Sequence, residues 1–128
     1  ISIPICKSPD WFKGSIEFTV FNKIYIIDDD RSIHDLWRRV FKTKQIENVV
    51  IHFYSEKEIF DGMKTISNSD LILIDNDLRM SKKGIELISS YKLKNAILVT
   101  SGYDDVFIQR YCIENKIPLL PKFLITYL

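Results

Sequence analysis

The chain has 128 residues, 46% of them hydrophobic, and 18 basic side chains against 17 acidic ones leave a formal net charge of +1. That is one domain with room for a real core and at most a short appendage. Its lysines and arginines form no basic stripe and no apolar run nears the roughly 18 residues of a membrane span, so neither nucleic acid nor a bilayer is an expected partner.

Cys6 and Cys112 stand far apart with no CxxC or metal-ligand spacing, as expected of reduced thiols in a cytoplasmic protein. No secretory leader is visible. The start on Ile1 rather than Met reads as an excised segment.

Residues 1–22 stand apart from the rest of the chain. Ile1, Ile3 and Ile5 alternate like a strand, Pro4 demotes it to an edge, and Ser8-Pro9-Asp10 breaks it. Trp11, Phe12, Ile16, Phe18, Val20 and Phe21 are too apolar for a free linker, so this domain or a neighbour must bury them.

From residue 23 the pattern alternates. A strand over 23–28, rich in β-branched residues, ends on Asp28-Asp29-Asp30. Ser32 with Asp35 reads as a capping box. The helix it opens sets Ile33, Leu36, Trp37, Val40 and Phe41 on one apolar face, with His34 expected at the surface. Val49–Tyr54 is the next strand and holds His52, a structural residue rather than a ligand. Ser55 and Glu58 then cap a helix carrying Ile59, Phe60, Met63 and Ile66. A strand over 71–75 ends on Asp75. A helix near 84–93, a strand over 96–100, a helix near 104–115 and a short strand over 117–121 complete the series.

Five strands alternating with four helices predict a flavodoxin-like α/β fold, a doubly wound five-stranded parallel sheet. In the common order 2-1-3-4-5, strands one and three meet at the topological switch point, where such sheets bind ligands. Those are the strands that end in Asp28-Asp29 and in Asp75. A carboxylate at a buried strand's end belongs at the rim, because an unpaired buried charge is too costly. Three of them in one crevice repel one another unless a divalent cation neutralises them. The next two strands deliver Thr100 and Lys122 to the same edge.

The set Asp28-Asp29, Asp75, Thr100 and Lys122, each at its own strand end and in this order, resembles the receiver domain of two-component response regulators over about residues 23–124. The resemblance implies a phosphorelay module that takes a phosphoryl group from a phosphohistidine donor onto Asp75. Mg²⁺ would be held by Asp28, Asp29, Asp75 and the backbone carbonyl of Asp77. Lys122 would pair with Asp75 and then with the phosphoryl group, while Thr100 would carry the signal to the adjacent helix.

The chain departs from that family's pattern in places. Phe123 follows the lysine where proline is usual, and Leu119 stands where an aromatic half of the switch is usual. The loop from Asp75 to Gly84 is one residue longer, with Arg79 where proline is common. Only Phe123–Leu128 follow Lys122, too few for a full last helix, which argues against a DNA-binding regulator of the usual dimerising type. Residues 1–12 resemble the closing edge strand of a histidine-kinase ATP-binding domain. That implies the C-terminal receiver of a hybrid sensor kinase, with residues 1–22 as an N-terminal extension and 23–128 as the receiver domain.

Two rivals share these residues. Asp75-Asn76-Asp77 also matches the DxD signature of haloacid-dehalogenase-type phosphatases, with Thr100 and Lys122 in their later motifs, but that family needs further acids after the lysine and leaves Asp28-Asp29 unexplained. A receiver-shaped interaction module that works without phosphate is the other.

Overall fold

The runs Ile24–Ile27 (β1) and Leu71–Ile74 (β3) carry no charged side chain, and only a core covered on both sides can take them. In the computed structural model, which describes residues 15–128, every residue of both strands is buried. They lie inside a five-stranded sheet with Val50–Phe53 (β2), Ala96–Thr100 (β4) and Leu119–Pro121 (β5). The order is β2-β1-β3-β4-β5, all parallel, which is the flavodoxin-like order the sequence implied.

Alternate residues of each strand face opposite sides. Ile24, Ile26, Leu71, Leu73, Val99 and Leu120 meet helix α1 (Arg31–Thr43) through Trp37 and Phe41. Tyr25, Ile27, Ile72, Ile74, Leu98 and Leu119 meet α2 (Glu56–Gly62), α3 (Gly84–Ser90) and α4 (Val106–Glu114). After Lys122 the chain makes a six-residue 3-10 helix, Lys122–Tyr127, whose Leu124 and Ile125 pack into the α1 cluster.

Phe18 joins the same cluster, with its ring edge-on to Trp37 and Phe41 at 6.4 and 5.1 Å. Ile16 and Phe21 pack against it. The edge strand expected at Ile1–Ile5, and Cys6, Trp11 and Phe12, lie outside the described residues. Among those described, no helix is long and apolar enough to cross a membrane.

Local signals set the helix ends. The cap of α1 is Asp30, not Ser32 as the capping-box reading had it. Asp30 is extended, and its carboxylate accepts the backbone N–H and the hydroxyl of Ser32 at 3.0 and 2.6 Å. An acid two residues earlier wins because it reaches the same free amides with a charged acceptor. Ser55 caps α2 as expected, with Glu58 N–H donating to its Oγ at 3.2 Å. Asp105 caps α4 through the N–H groups of Phe107 and Ile108.

The sheet register aligns the carboxyl ends, with Ile27 opposite Ile74, Ile74 opposite Leu98 and Thr100 opposite Pro121. Asp28, Asp75 and Lys122, the first residues past β1, β3 and β5, therefore leave at the same edge of the sheet.

Candidate functional site

Asp28 follows β1 and Asp75 follows β3, the two strands that flank the switch point. Both carboxylates are buried, at 3% exposure each. Asp29 joins them half-exposed at the rim, and one oxygen from each of the three lies within 4.8 Å of the others. Lys122, the first residue past β5, reaches across β4 with its Nζ 3.0 Å from Asp28 Oδ2 and 3.2 Å from Asp75 Oδ2. The structure thus gathers Asp28, Asp29, Asp75 and Lys122 into one cluster.

Thr100 ends β4, the strand between β3 and β5, at 2% exposure, and its Oγ1 accepts the Gly102 N–H at 3.0 Å. Asp77, two residues past Asp75, turns its side chain to solvent. Arg79 lies further along this loop in a left-handed conformation with φ 48°. Its Nε is 3.5 Å from Asp29 Oδ2, a solvent-exposed pair worth little by itself.

Charge balance is incomplete. Burial raises the Asp75 pKa first and the Asp28 charge second; against Lys122 and the Asp77 backbone N–H they push it up to about 6. Burial also raises Asp28 above the ordinary carboxylate value, although the Asp30 N–H and Lys122 pull it back. Burial works against the Lys122 ammonium, but the Asp75 and Asp28 carboxylates outweigh it and raise its pKa. One ammonium serves two buried acids and leaves the third to the rim.

The shortfall shows at one atom. Asp75 Oδ1 is buried and has no hydrogen-bond partner. A buried carboxylate oxygen left alone costs free energy on the order of 1–3 kcal/mol, so it marks a place for a group that brings positive charge. The donors are all carboxylate oxygens, the hard ligands that suit Mg²⁺, which binds through one or two carboxylates and keeps several waters. Asp28, Asp29 and Asp75 fit such an ion.

Two supporting residues carry no signal of chemistry in the sequence. Gly84 opens α3 with its N–H on the Asn76 carbonyl at 3.1 Å, and a Cβ there would lie 2.1 Å from the Asp75 carbonyl oxygen. Only glycine lets α3 come this close to the backbone of Asp75. Asn76 is buried, and its Oδ1 accepts the Ile85 N–H at 3.1 Å. The loop is therefore tied to α3 from both sides.

His34 corrects an expectation. It is fully buried rather than at the surface, with Nε2 2.7 Å from the Asp28 carbonyl oxygen and Nδ1 2.7 Å from Nδ1 of His52. The signal was in the helix phase: position 34 precedes Trp37 by three residues and Phe41 by seven, which puts it on the buried face.

No protein-family model matches the sequence, and a search of curated proteins found no match. Among solved structures, a response regulator receiver domain from Rhodospirillum rubrum superposes with a TM-score of 0.65 at 15% identity, over 82% of this chain and 89% of that one. The bacteriophytochrome response regulator AtBRR gives 0.63 at 15% identity, over 84% and 88%. The fold is that of a receiver domain. At this identity the superposition speaks for the fold alone, and the chemistry has to be argued from the crevice.

Proposed function

We propose that this chain is a phosphoacceptor receiver domain that takes a phosphoryl group from a phosphohistidine onto Asp75 in the presence of Mg²⁺. The observation that carries this reading is the unpartnered, buried Asp75 Oδ1 inside a cluster of three carboxylates and one lysine. An anion attacking a phosphoryl group must be aligned and its charge cancelled. Bound Mg²⁺ would supply positive charge to phosphoryl oxygens in the crevice, held by Asp28, Asp29 and Asp75.

This chain's own residues do the rest. An Asp75 carboxylate oxygen attacks phosphorus, the new O–P bond forms as the donor's P–N bond breaks, and the imidazole leaves with the bonding pair. Lys122 already bridges Asp28 and Asp75 and stays within reach of charge that builds on the transferred group. Thr100, held by the Gly102 N–H, has a hydroxyl free to reorient toward new acceptor oxygens and move the loop ahead of α4. A charge of about −1.5 to −2 then biases that loop between two arrangements.

The test is incubation with acetyl phosphate and Mg²⁺, followed by intact mass. Wild type should gain one phosphoryl group, and Asp75→Asn or excess EDTA should abolish the gain. Wild type that stays unmodified favours the phosphate-independent module. Repeated turnover of phosphate esters favours the phosphatase instead. The hybrid-kinase setting rests on the resemblance of residues 1–12, and kinase motifs upstream of Ile1 in the reading frame would test it.

A further inference from the structure

The chain has two histidines, and they meet. His34 lies on the first turn of α1, and His52 lies on the edge strand β2. A carbonyl oxygen can only accept, so the 2.7 Å contact with Asp28 places a proton on His34 Nε2. Burial disfavours the charged form of both rings. With that proton on Nε2, a neutral His34 presents Nδ1 as acceptor, and the 2.7 Å contact between the rings is then a His52 Nδ1–H donating to it. Each ring has one tautomer, and the pair points in one direction, from β2 through α1 to the end of β1.

Tyr54 covers the inner ring, His34, at 4.0 Å, while His52 stays half-buried on the edge strand. The Arg31 guanidinium lies over Tyr54 at 4.4 Å, and Arg38 donates to the Tyr54 hydroxyl. At the inner end, Asp28 has every polar atom occupied. Its N–H donates to the Phe53 carbonyl, its carbonyl accepts from His34, Oδ1 accepts the Asp30 N–H, and Oδ2 faces Lys122. A buried and a half-buried imidazole cost desolvation that an aliphatic pair would avoid. What they provide is direction.

We propose that the His52–His34 pair is a positioning device for the acidic cluster, fixing the Asp28 main chain so that its carboxylate faces Asp29 and Asp75 in the arrangement a divalent cation takes. The proposal rests on the cation-site reading above and adds two residues that touch neither the ion nor the phosphoryl group. Partners behind a metal ligand are typically worth about 10-fold or more in affinity.

The experiment measures Mg²⁺ affinity by calorimetry on wild type, His34→Leu, His34→Gln, His52→Leu and His52→Asn. Urea unfolding in EDTA is run alongside. Gln can place an N–H where His34 Nε2 is, and Asn can place one where His52 Nδ1 is. Both Leu variants should bind Mg²⁺ about 10-fold more weakly, and Gln and Asn should recover most of the loss. Nitrogen-resolved NMR should show His34 as the Nε2–H and His52 as the Nδ1–H tautomer.

Folded Leu variants with wild-type affinity would overturn the proposal, as would Gln and Asn variants no better than Leu. If His34→Leu fails to fold, the half-buried His52 pair of variants decides. Wild type that binds no Mg²⁺ would remove the cation site and this role with it. Normal binding in wild type, loss in Asp28→Asn and no response to the histidines would remove the positioning role alone.

Discussion

The two sides of the crevice differ in how completely they are held. At the β1 side, Asp28 has a partner for its amide, its carbonyl and both carboxylate oxygens. At the β3 side, Asp75 is equally buried, yet one oxygen has no partner at all. Both sit one residue past a strand of four buried apolar residues, in register with each other. Under the proposed function, the contrast separates a ligand fixed by its surroundings from a group kept available to react. Burial alone makes a carboxylate costly; what its oxygens touch decides whether it is scaffold or nucleophile.

The largest effect expected is at Gly84. Adding a methyl 2.1 Å from the Asp75 carbonyl oxygen forces α3 or the acceptor backbone to move. Gly84→Ala should cost several kcal/mol in urea unfolding, on the order of the larger overpacking penalties, and should slow labelling by acetyl phosphate. A stable variant labelled at the wild-type rate would show that the β3 side tolerates displacement, which its proposed role forbids.

Next comes the pH response of the metal-free protein. In the native state Asp75 titrates at about 6, above its unfolded value of 3.8, so the native state binds the proton more tightly than the unfolded one. Stability from this group therefore rises as pH falls from about 6 toward 4, and is absent above that window. The gain is at most about 3 kcal/mol and should be read as the difference between wild type and Asp75→Asn. At pH 7.5 in EDTA, Asp75→Asn should be the more stable of the two. An Asp75→Asn curve parallel to wild type would mean that Asp75 is not strained.

Smaller again is the cap. Asp30 is the acid of the 28–30 run that serves α1 rather than the cluster. Asp30→Ala should lose about 1 kcal/mol and keep wild-type labelling by acetyl phosphate. A labelling defect would place Asp30 in the site. The smallest effect concerns Asp77, whose exposed carboxylate stands two residues past the proposed acceptor, where it would lie beside an attacking water. Asp77→Asn should change the lifetime of the phosphorylated form without abolishing its formation, and equal decay rates in the two proteins would dismiss that idea.

Much of this was legible in the sequence because it follows from charge placed at the ends of apolar runs. Ile24–Ile27 and Leu71–Ile74 can only be interior strands, and acids directly after them can only lie at the rim. The sheet order then brings Asp28, Asp29 and Asp75 together with Lys122. What stayed hidden depends on three-dimensional partners. The orphan oxygen of Asp75 cannot be seen without the geometry of Lys122. The apolar face of α1 reads as Ile33, Leu36, Trp37, Val40 and Phe41 with the polar His34 outside it, although its spacing to Trp37 and Phe41 puts it inside. Its burial is met by two partners, the Asp28 carbonyl and His52 eighteen residues on, each 2.7 Å from a ring nitrogen.

The most direct test of the central claim is the chemical location of the phosphoryl group. Protein treated with acetyl phosphate and Mg²⁺ is reduced with borohydride, which converts a phosphorylated aspartate to homoserine, and is then mapped by peptide mass spectrometry. The structure predicts homoserine at position 75 alone, and none in EDTA. Conversion at position 28, 29 or 77, or at none of them, would contradict the assignment of Asp75 as the acceptor.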